Sequence, residues 1–153
     1  MTKPDRLAKL LEELRGVLKN RKLKSTVQRE IILKAMLESD AHLTPDDILD
    51  EANKIAGKHK IGKATVYRAL NFFEEEGFVT SISFGSEGKK YEINPQSHHD
   101  HMICLECDTI IEFVSQEVED IQEQIAKQNG FVIKHHAMQL YGTCKKCNDK
   151  KRK

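Results

Sequence analysis

The four cysteines of this chain form two Cys-x-x-Cys pairs, Cys104 with Cys107 and Cys144 with Cys147. A gap of two residues lets both thiolates of a pair reach one tetrahedral ion at about 2.3 Å, the usual zinc–sulfur distance. Two pairs without a fifth cysteine therefore predict a structural zinc site with four thiolate ligands. Two disulfides are the alternative, but a chain without a secretion signal is expected to stay reduced. Thioredoxin-like redox use of one pair would leave the other pair unexplained.

Just before the first pair, the chain reads His98-His99-Asp100-His101. Side chains alternate along an extended strand, so His99 and His101 would face one side and His98 and Asp100 the other. Imidazole and carboxylate groups suit zinc, iron, manganese and nickel. This run therefore predicts ligands for two separate metal sites. Further candidate ligands on other elements are Glu92, Glu112, Glu117, Glu119, His135 and His136.

Apolar periodicity, capping residues and turn residues predict helices followed by a β-hairpin in the first part of the chain. The helices are predicted at 5–19, from 25 or 26 onward, at 44–57 and at 63–76, and the strands at 78–84 and 89–93 around a turn at 85–88. This order is typical of a winged helix-turn-helix, whose last helix enters the DNA major groove. Val66, Ala69, Leu70 and Phe73 of that helix would point inward, which leaves Lys63, Ala64, Thr65, Tyr67 and Arg68 outward.

The second part of the chain must position the metal ligands. The polar segment 94–97 predicts a domain boundary. After it, the sequence predicts a strand at 109–113, a helix from 115 to 129 or 130, and a strand that begins at 131 and runs toward Tyr141. Zinc would join the first strand of this part to the end of the last one.

The charge of the chain first argues against a nucleic-acid ligand, since 153 residues carry a net charge of only +1. The basic residues are concentrated in 19–34 and 54–68, whereas acidic residues fill 35–53 and 74–76. Local clustering can therefore provide a DNA-binding face. The apolar fraction excludes a wholly disordered chain, and the apolar runs are far shorter than the ~20 residues that span a bilayer. We expect a cytoplasmic protein with no membrane partner.

Five segments together resemble the ferric uptake regulator family, over nearly the whole chain: ATVYRALNFFEEEGFV (64–79), GKKYEI (88–93), HHDHMICLEC (98–107), IIEF (110–113) and YGTCKKC (141–147). The resemblance implies an α+β fold with a winged-helix DNA-binding domain at 1–93, preceded by an extra N-terminal helix. It implies a small α/β dimerisation and metal-sensing domain at 94–153, which carries the four-cysteine zinc site.

The resemblance also implies roles for individual residues. A regulatory metal site would bridge the two domains, and an additional site would lie inside the dimerisation domain; His135 and Glu117 match no role and are taken as structural. The regulatory ligands are His42, Glu92, His99, His101 and Glu112; the additional ligands are His98, Asp100, Glu119 and His136; the structural zinc ligands are Cys104, Cys107, Cys144 and Cys147. Tyr67 and Arg68 resemble the base-contacting pair, and Lys24 resembles the lysine that reaches the minor groove. Lys63 and Thr65 complete the expected DNA contacts.

The function that follows is that of an iron-responsive repressor, not an enzyme. Fe(II), or Mn(II) or Zn(II) as a surrogate, would fix a homodimer for binding to a double-stranded operator of iron-uptake genes; a higher oligomer stays open. Peroxide sensing and zinc sensing are alternatives within the family, although Glu112 stands where the peroxide-sensing branch favours Asp. A zinc hydrolase is the alternative of another class. Asp108 departs from the family, in which Gly often follows the first cysteine pair.

Overall fold

The computed structural model describes residues 2–39, 41–84, 88–94, 98–134 and 136–152, and the chain divides into two compact units, Met1–Asn94 and Pro95–Lys153. Three features of the sequence analysis fall wholly or partly outside the described residues. These are the hairpin turn, of which only Gly88 is described, the boundary segment after Asn94, and His135.

The first unit is a winged helix-turn-helix with an additional helix at its start, as the sequence predicted. Its elements are α1 (Lys3–Asn20), α2 (Val27–Ser39), α3 (Pro45–Ala56), α4 (Lys63–Glu75), β1 (Val79–Ser83) and β2 (Lys89–Ile93). The two strands form an antiparallel pair, and Leu43 adds a short antiparallel bridge to Tyr91 of β2. Predicted and observed helix ends differ by only a few residues.

The start of α3 shows why the helix boundaries could be read from the sequence. Thr44 is the N-cap, its hydroxyl accepts the backbone N–H of Asp47 at 3.1 Å, and the Asp47 carboxylate accepts the backbone N–H of Thr44 at 2.9 Å. This capping box satisfies two donors that the helix itself leaves free. The hydrogen bonds from Thr44 lower the pKa of Asp47. At the other end, Gly57 has a φ of +54°, where a side chain would be strained.

Helix α1 belongs to the core of the first unit. Leu14 and Leu18 are 0% and 1% exposed and lie in the same apolar cluster as Phe73 of α4. The Arg15 guanidinium also donates two hydrogen bonds of 3.0 Å to the Glu30 carboxylate of α2, which lowers the pKa of Glu30. Helix α1 therefore packs against the core of the first unit through its apolar face.

The second unit is a three-stranded sheet with two helices among its described residues. Its elements are β3 (Asp100–Cys104), β4 (Ile110–Phe113), α5 (Gln116–Gln128), β5 (Gln139–Gly142) and α6 (Lys145–Lys151). Strand β3 lies in the centre, antiparallel to β4 and parallel to β5. His101, Met102 and Ile103 of β3 therefore have strand neighbours on both sides. The sequence analysis did not predict α6.

The prediction that a strand begins at residue 131 is wrong, because β5 begins only at Gln139. The chain leaves α5 through Gly130, whose φ is +62°, and the backbone N–H of Phe131 still bonds to the carbonyl of Ala126 at 2.8 Å. Phe131 and Val132 are 68% and 72% exposed. The β-rich run 131–133 therefore forms the exit from α5, where the backbone N–H of Phe131 bonds to the end of the helix.

Within the described ranges, none of the helices combines the length and the apolarity that crossing a membrane requires.

We predict that Leu14→Ala lowers the free energy of unfolding by about 2–5 kcal/mol, because it removes a fully buried side chain and leaves a cavity. Glu12→Ala, an exposed change on the same helix, is the matched control and should alter stability by less than about 0.5 kcal/mol. Urea unfolding of the zinc-loaded protein measures both values. Equal stability of the two variants would mean that α1 is not part of the folded core.

Candidate functional site

The four cysteines meet at the end of the central strand. Cys104 is the last residue of β3 and Cys107 lies in the following turn, whereas Cys144 is the N-cap of α6 and Cys147 lies within it. One Sγ from each residue lies within 4.8 Å of the others, and all four are free thiols. The Cys107 and Cys144 sulfurs are 3.7 Å apart. A tetrahedron with zinc–sulfur bonds of about 2.3 Å has edges of about 3.8 Å, so these donors fit one zinc ion.

Hydrogen bonds shift the pKa values of the cysteine thiols in opposite directions. The backbone N–H of Cys144 donates to Cys104 Sγ at 3.3 Å, which helps lower the pKa of Cys104 to about 6. Hydrogen bonds with the other thiols, Cys107 first, raise the pKa of Cys147 to about 12. A divalent cation would displace the remaining thiol protons, because the thiolate is the form of cysteine that binds a metal.

The turn that contains Cys107 accommodates Asp108, the unusual residue that follows the first cysteine pair. Asp108 has a φ of +57°, in the left-handed region that Asp enters more readily than most side chains. Glu106 in the same turn forms an ion pair with Lys151 and accepts the Thr143 hydroxyl at 3.2 Å. These contacts connect the turn to the chain around the second cysteine pair.

A second cluster lies on one face of β3. Asp100 is 1% exposed, and its carboxylate accepts the backbone N–H of Met138 at 3.1 Å. His98 Nε2 lies 3.2 Å from Asp100 and 3.3 Å from Glu119 of α5, and His136 Nε2 lies 3.2 Å from Glu119. A buried carboxylate beside a second acid and two imidazoles suits a divalent cation, since an isolated buried charge would be costly.

The opposite face of β3 carries the other two histidines of the run. The His99 and His101 rings are 4.8 Å apart, and His101 is 4% exposed. Glu112 of β4 is the register partner of His101, and its carboxylate lies 3.9 Å from His99 Nε2. The second unit thus offers two imidazoles and one carboxylate on this face.

A smaller pair of candidate ligands lies within the first unit. His42 Nε2 is 3.1 Å from the Glu92 carboxylate, and both side chains are mostly buried. Glu92 belongs to β2, whose neighbour Tyr91 bonds to Leu43, the residue after His42. The bridge between these two backbones therefore fixes the pair. Glu117, in the first turn of α5, is exposed and belongs to neither cluster of the second unit.

Helix α4 presents the predicted nucleic-acid contacts. Lys63, Tyr67 and Arg68 are exposed, and Thr65 is half-buried. Val66, Ala69, Leu70 and Phe73 of the same helix are 0–2% exposed and hold it against the core. The outer face of α4 therefore does not pack against the core, and its side chains are available to enter a DNA groove. Lys24 is exposed in the connection between α1 and α2.

Arg29 is a functional candidate that the sequence analysis missed. Its guanidinium donates to the carbonyl oxygen of Lys24 at 3.0 Å and lies 5.1 Å from the centre of the Phe72 ring. It therefore joins the segment that carries Lys24 to the helix that carries Tyr67. Only its place in the basic stretch could have drawn attention to it, because its contact with Phe72 depends on the tertiary structure.

Comparison with known proteins gives consistent results. The profile of the Ferric uptake regulator family matches residues 20–141. The Ferric uptake regulation protein of Campylobacter jejuni is 49% identical over 144 residues, which is 94% of this chain and 92% of that protein. The structure of the Helicobacter pylori ferric uptake regulator, described as having three functional metal binding sites, is 35% identical with a TM-score of 0.77 and covers 93% of both chains. The Campylobacter jejuni peroxide stress regulator is 31% identical with a TM-score of 0.66, over 88% of this chain and 98% of that one.

We predict that Cys147→Ser abolishes tight zinc binding, because three thiolates would remain where four close the coordination sphere. His136→Ala, which alters only the cluster around Asp100, should retain that zinc. Zinc per chain is measured by elemental analysis after dialysis against a weak chelator, with circular dichroism to check folding. An unchanged zinc content in folded Cys147→Ser would contradict the four-thiolate site.

Proposed function

This chain belongs to the ferric uptake regulator family and is an iron-responsive, DNA-binding transcriptional regulator, and we propose that it senses iron by sharing one set of ligands between its two units. Its cofactors are structural zinc and regulatory Fe(II), with Mn(II) or Zn(II) as surrogates. The observation that carries the proposal is the presence of one incomplete ligand group in each unit: His42 with Glu92, and His99 with His101 and Glu112.

The pair in the first unit offers too few ligands for a tight iron site, and the group in the second unit, two imidazoles and one carboxylate, would hold iron with coordination positions left open. The pair His42 and Glu92 offers two ligands from the first unit, and the second unit offers three more on one face of β3 and β4. When bound, Fe(II) supplies a coordination sphere that accepts imidazole and carboxylate ligands from both groups. His42 and Glu92 would then be held beside His99 and His101, which restricts the angle between the units.

Restriction of that angle changes DNA affinity only under one condition. A ligand shifts a conformational equilibrium by the difference between its affinities for the two states and by nothing else. The five ligands must therefore be complete in the arrangement that binds DNA and incomplete in the others. In a homodimer, the same restriction would set the spacing of the two α4 helices, which an operator with two half-sites reads.

The DNA contacts follow from the exposed face of α4. Tyr67 and Arg68 would reach base edges, since Arg pairs bidentately with guanine and a ring can touch the thymine methyl group. Lys63 and Thr65 lie nearer the start of the same helix, and Lys24 would enter the minor groove beside it. Arg29 would position Lys24 through the bond to its carbonyl group.

The exposed apolar surface of the second unit supports a homodimer. Met102, Ile111 and Leu140, from the three neighbouring strands, are 38–46% exposed, and Ile121 and Ile125 of α5 are 54–56% exposed. Apolar side chains grouped in this way mark an interaction surface more often than a solvated one. We propose that a second copy covers them, so that 95–153 is the dimerisation domain and 1–94 the DNA-binding domain.

The other two metal sites have supporting roles in this proposal. The four cysteines would hold zinc and join the end of β3 to α6, and His98, Asp100, Glu119 and His136 would hold a second cation between β3 and α5. The described likeness to a regulator with three functional metal sites supports this number. Both sites would stabilise β3, the strand that contains His101 and directly follows His99.

Iron sensing is preferred over the neighbouring functions. The peroxide regulator of Campylobacter jejuni is similar in structure. The peroxide-sensing branch of the family favours Asp at the position of Glu112, however, and the longer Glu side chain would alter the ligand geometry on which histidine oxidation depends. A zinc-dependent hydrolase would turn over ester or amide substrates with zinc alone, whereas a regulator would show metal- and salt-dependent operator binding. We propose that the protein is a cytoplasmic regulator without enzymatic activity.

We predict that Mn(II) strengthens binding to an operator duplex at least tenfold in the unsubstituted protein and has little effect after His99→Ala with His101→Ala. The substitution removes two of the shared ligands and leaves the zinc cysteines in place. Glu117→Gln, an exposed change outside both clusters, is the control and should keep the full metal response. Fluorescence anisotropy at fixed salt measures the affinities. Unaltered metal dependence in the double variant would contradict the proposed regulatory site.

A further inference from the structure

We propose that Asp46 limits the DNA affinity of this regulator by holding Lys63 in an ion pair that a DNA phosphate must displace. The inference rests on the proposed DNA-binding role of α4. Lys63 is the first residue of that helix, and its Nζ lies 2.9 Å from the carboxylate of Asp46 in the first turn of α3. The side chains are 58% and 68% exposed, so a phosphate can reach the lysine from solvent.

Helix stability does not explain the lysine. A cation at a helix N-terminus opposes the positive end of the helix dipole. Gly62, the N-cap of α4, also provides no side-chain acceptor, so Lys63 lies at a helix start that has no side-chain cap. An anion at this position relieves both conditions. Within the protein that anion is the Asp46 carboxylate, which also raises the pKa of Lys63, and on DNA it would be a phosphate.

The capping of α3 does not explain the aspartate either. Asp47, not Asp46, forms the capping box with Thr44 and already places an acid in the first turn. Asp46 instead points its carboxylate at the neighbouring helix of the helix-turn-helix. The two helices are thus joined at the end of α4 that would face DNA.

The energetic scale of this contact suits competition. An exposed ion pair is weak, so it lowers the affinity of Lys63 for a phosphate without preventing the contact. The expected penalty on DNA binding is about 2–5-fold per protomer, the range that corresponds to a typical exposed pair. Because phosphate contacts carry no sequence information, the penalty should apply equally to operator and unrelated DNA. Asp46 would thereby weaken binding to operator and non-specific DNA alike.

The experiment compares four variants with the unsubstituted, manganese-loaded protein: Asp46→Asn, Lys63→Gln, the two together, and Asp50→Asn. Asp50 is exposed on the same helix, so Asp50→Asn is a control for the change in net charge. Affinities are measured for an operator duplex and for an unrelated duplex of equal length, over a range of salt concentrations.

Asp46→Asn should tighten binding to both duplexes by about 2–5-fold per protomer. The effect should vanish when Lys63→Gln is also present, and Asp50→Asn should have a clearly smaller effect. Lys63→Gln should also reduce the slope of log affinity against log salt by about 0.9 per protomer, the contribution of one phosphate contact.

Three results would overturn the inference: no tightening by Asp46→Asn, equal tightening by Asp50→Asn or in the Lys63→Gln background, or an effect confined to the operator. The second would assign the effect to long-range charge, and the third to a base contact. Metal-dependent operator binding by the unsubstituted protein is measured first, because its absence would contradict the proposed function itself. Its presence together with unaltered binding by Asp46→Asn contradicts the role of Asp46 alone.

Discussion

The alternation of side chains along one central strand is the constraint on which the metal chemistry depends. Strand β3 and the two residues before it present His98 and Asp100 to one cluster, and His99 and His101 to the opposite face. The strand ends at Cys104 in the four-cysteine cluster. Its neighbours β4 and β5 hold this strand by hydrogen bonds on both edges. A displacement of β3 by one residue would exchange the two faces, so the three proposed metal sites depend on one register.

This arrangement explains why a structural zinc site can matter to a regulatory one. The turn after Cys104 and the helix that contains Cys147 lie at one end of β3, and His99 lies at the other. Zinc at four thiolates would fix the end of the strand, and a cation beside Asp100 would fix the strand to α5. The imidazoles of His99 and His101 would then be presented without a large ordering cost when iron is shared with the first unit.

Much of the fold could be predicted because it depends on local sequence patterns. The capping box at Thr44, the inward face of α4 and the alternation at 98–101 each depend on residues close together in the sequence. The false strand at 131 had the right composition, but a glycine exit from α5 determined its conformation. The position of Arg29 over the Phe72 ring joins two distant segments, which a single sequence does not reveal.

The most direct test of iron sensing through shared ligands is the distance between the two units, measured within one chain. Fluorophores attached through non-cysteine handles at the exposed positions Lys58 and Lys127 report that distance by single-molecule energy transfer, with labelled chains diluted into unlabelled protein. Without regulatory metal, we expect a broad distribution, and with saturating Mn(II) a single narrow one. A distribution that stays unchanged while Mn(II) strengthens operator binding would contradict a metal-joined arrangement of the two units.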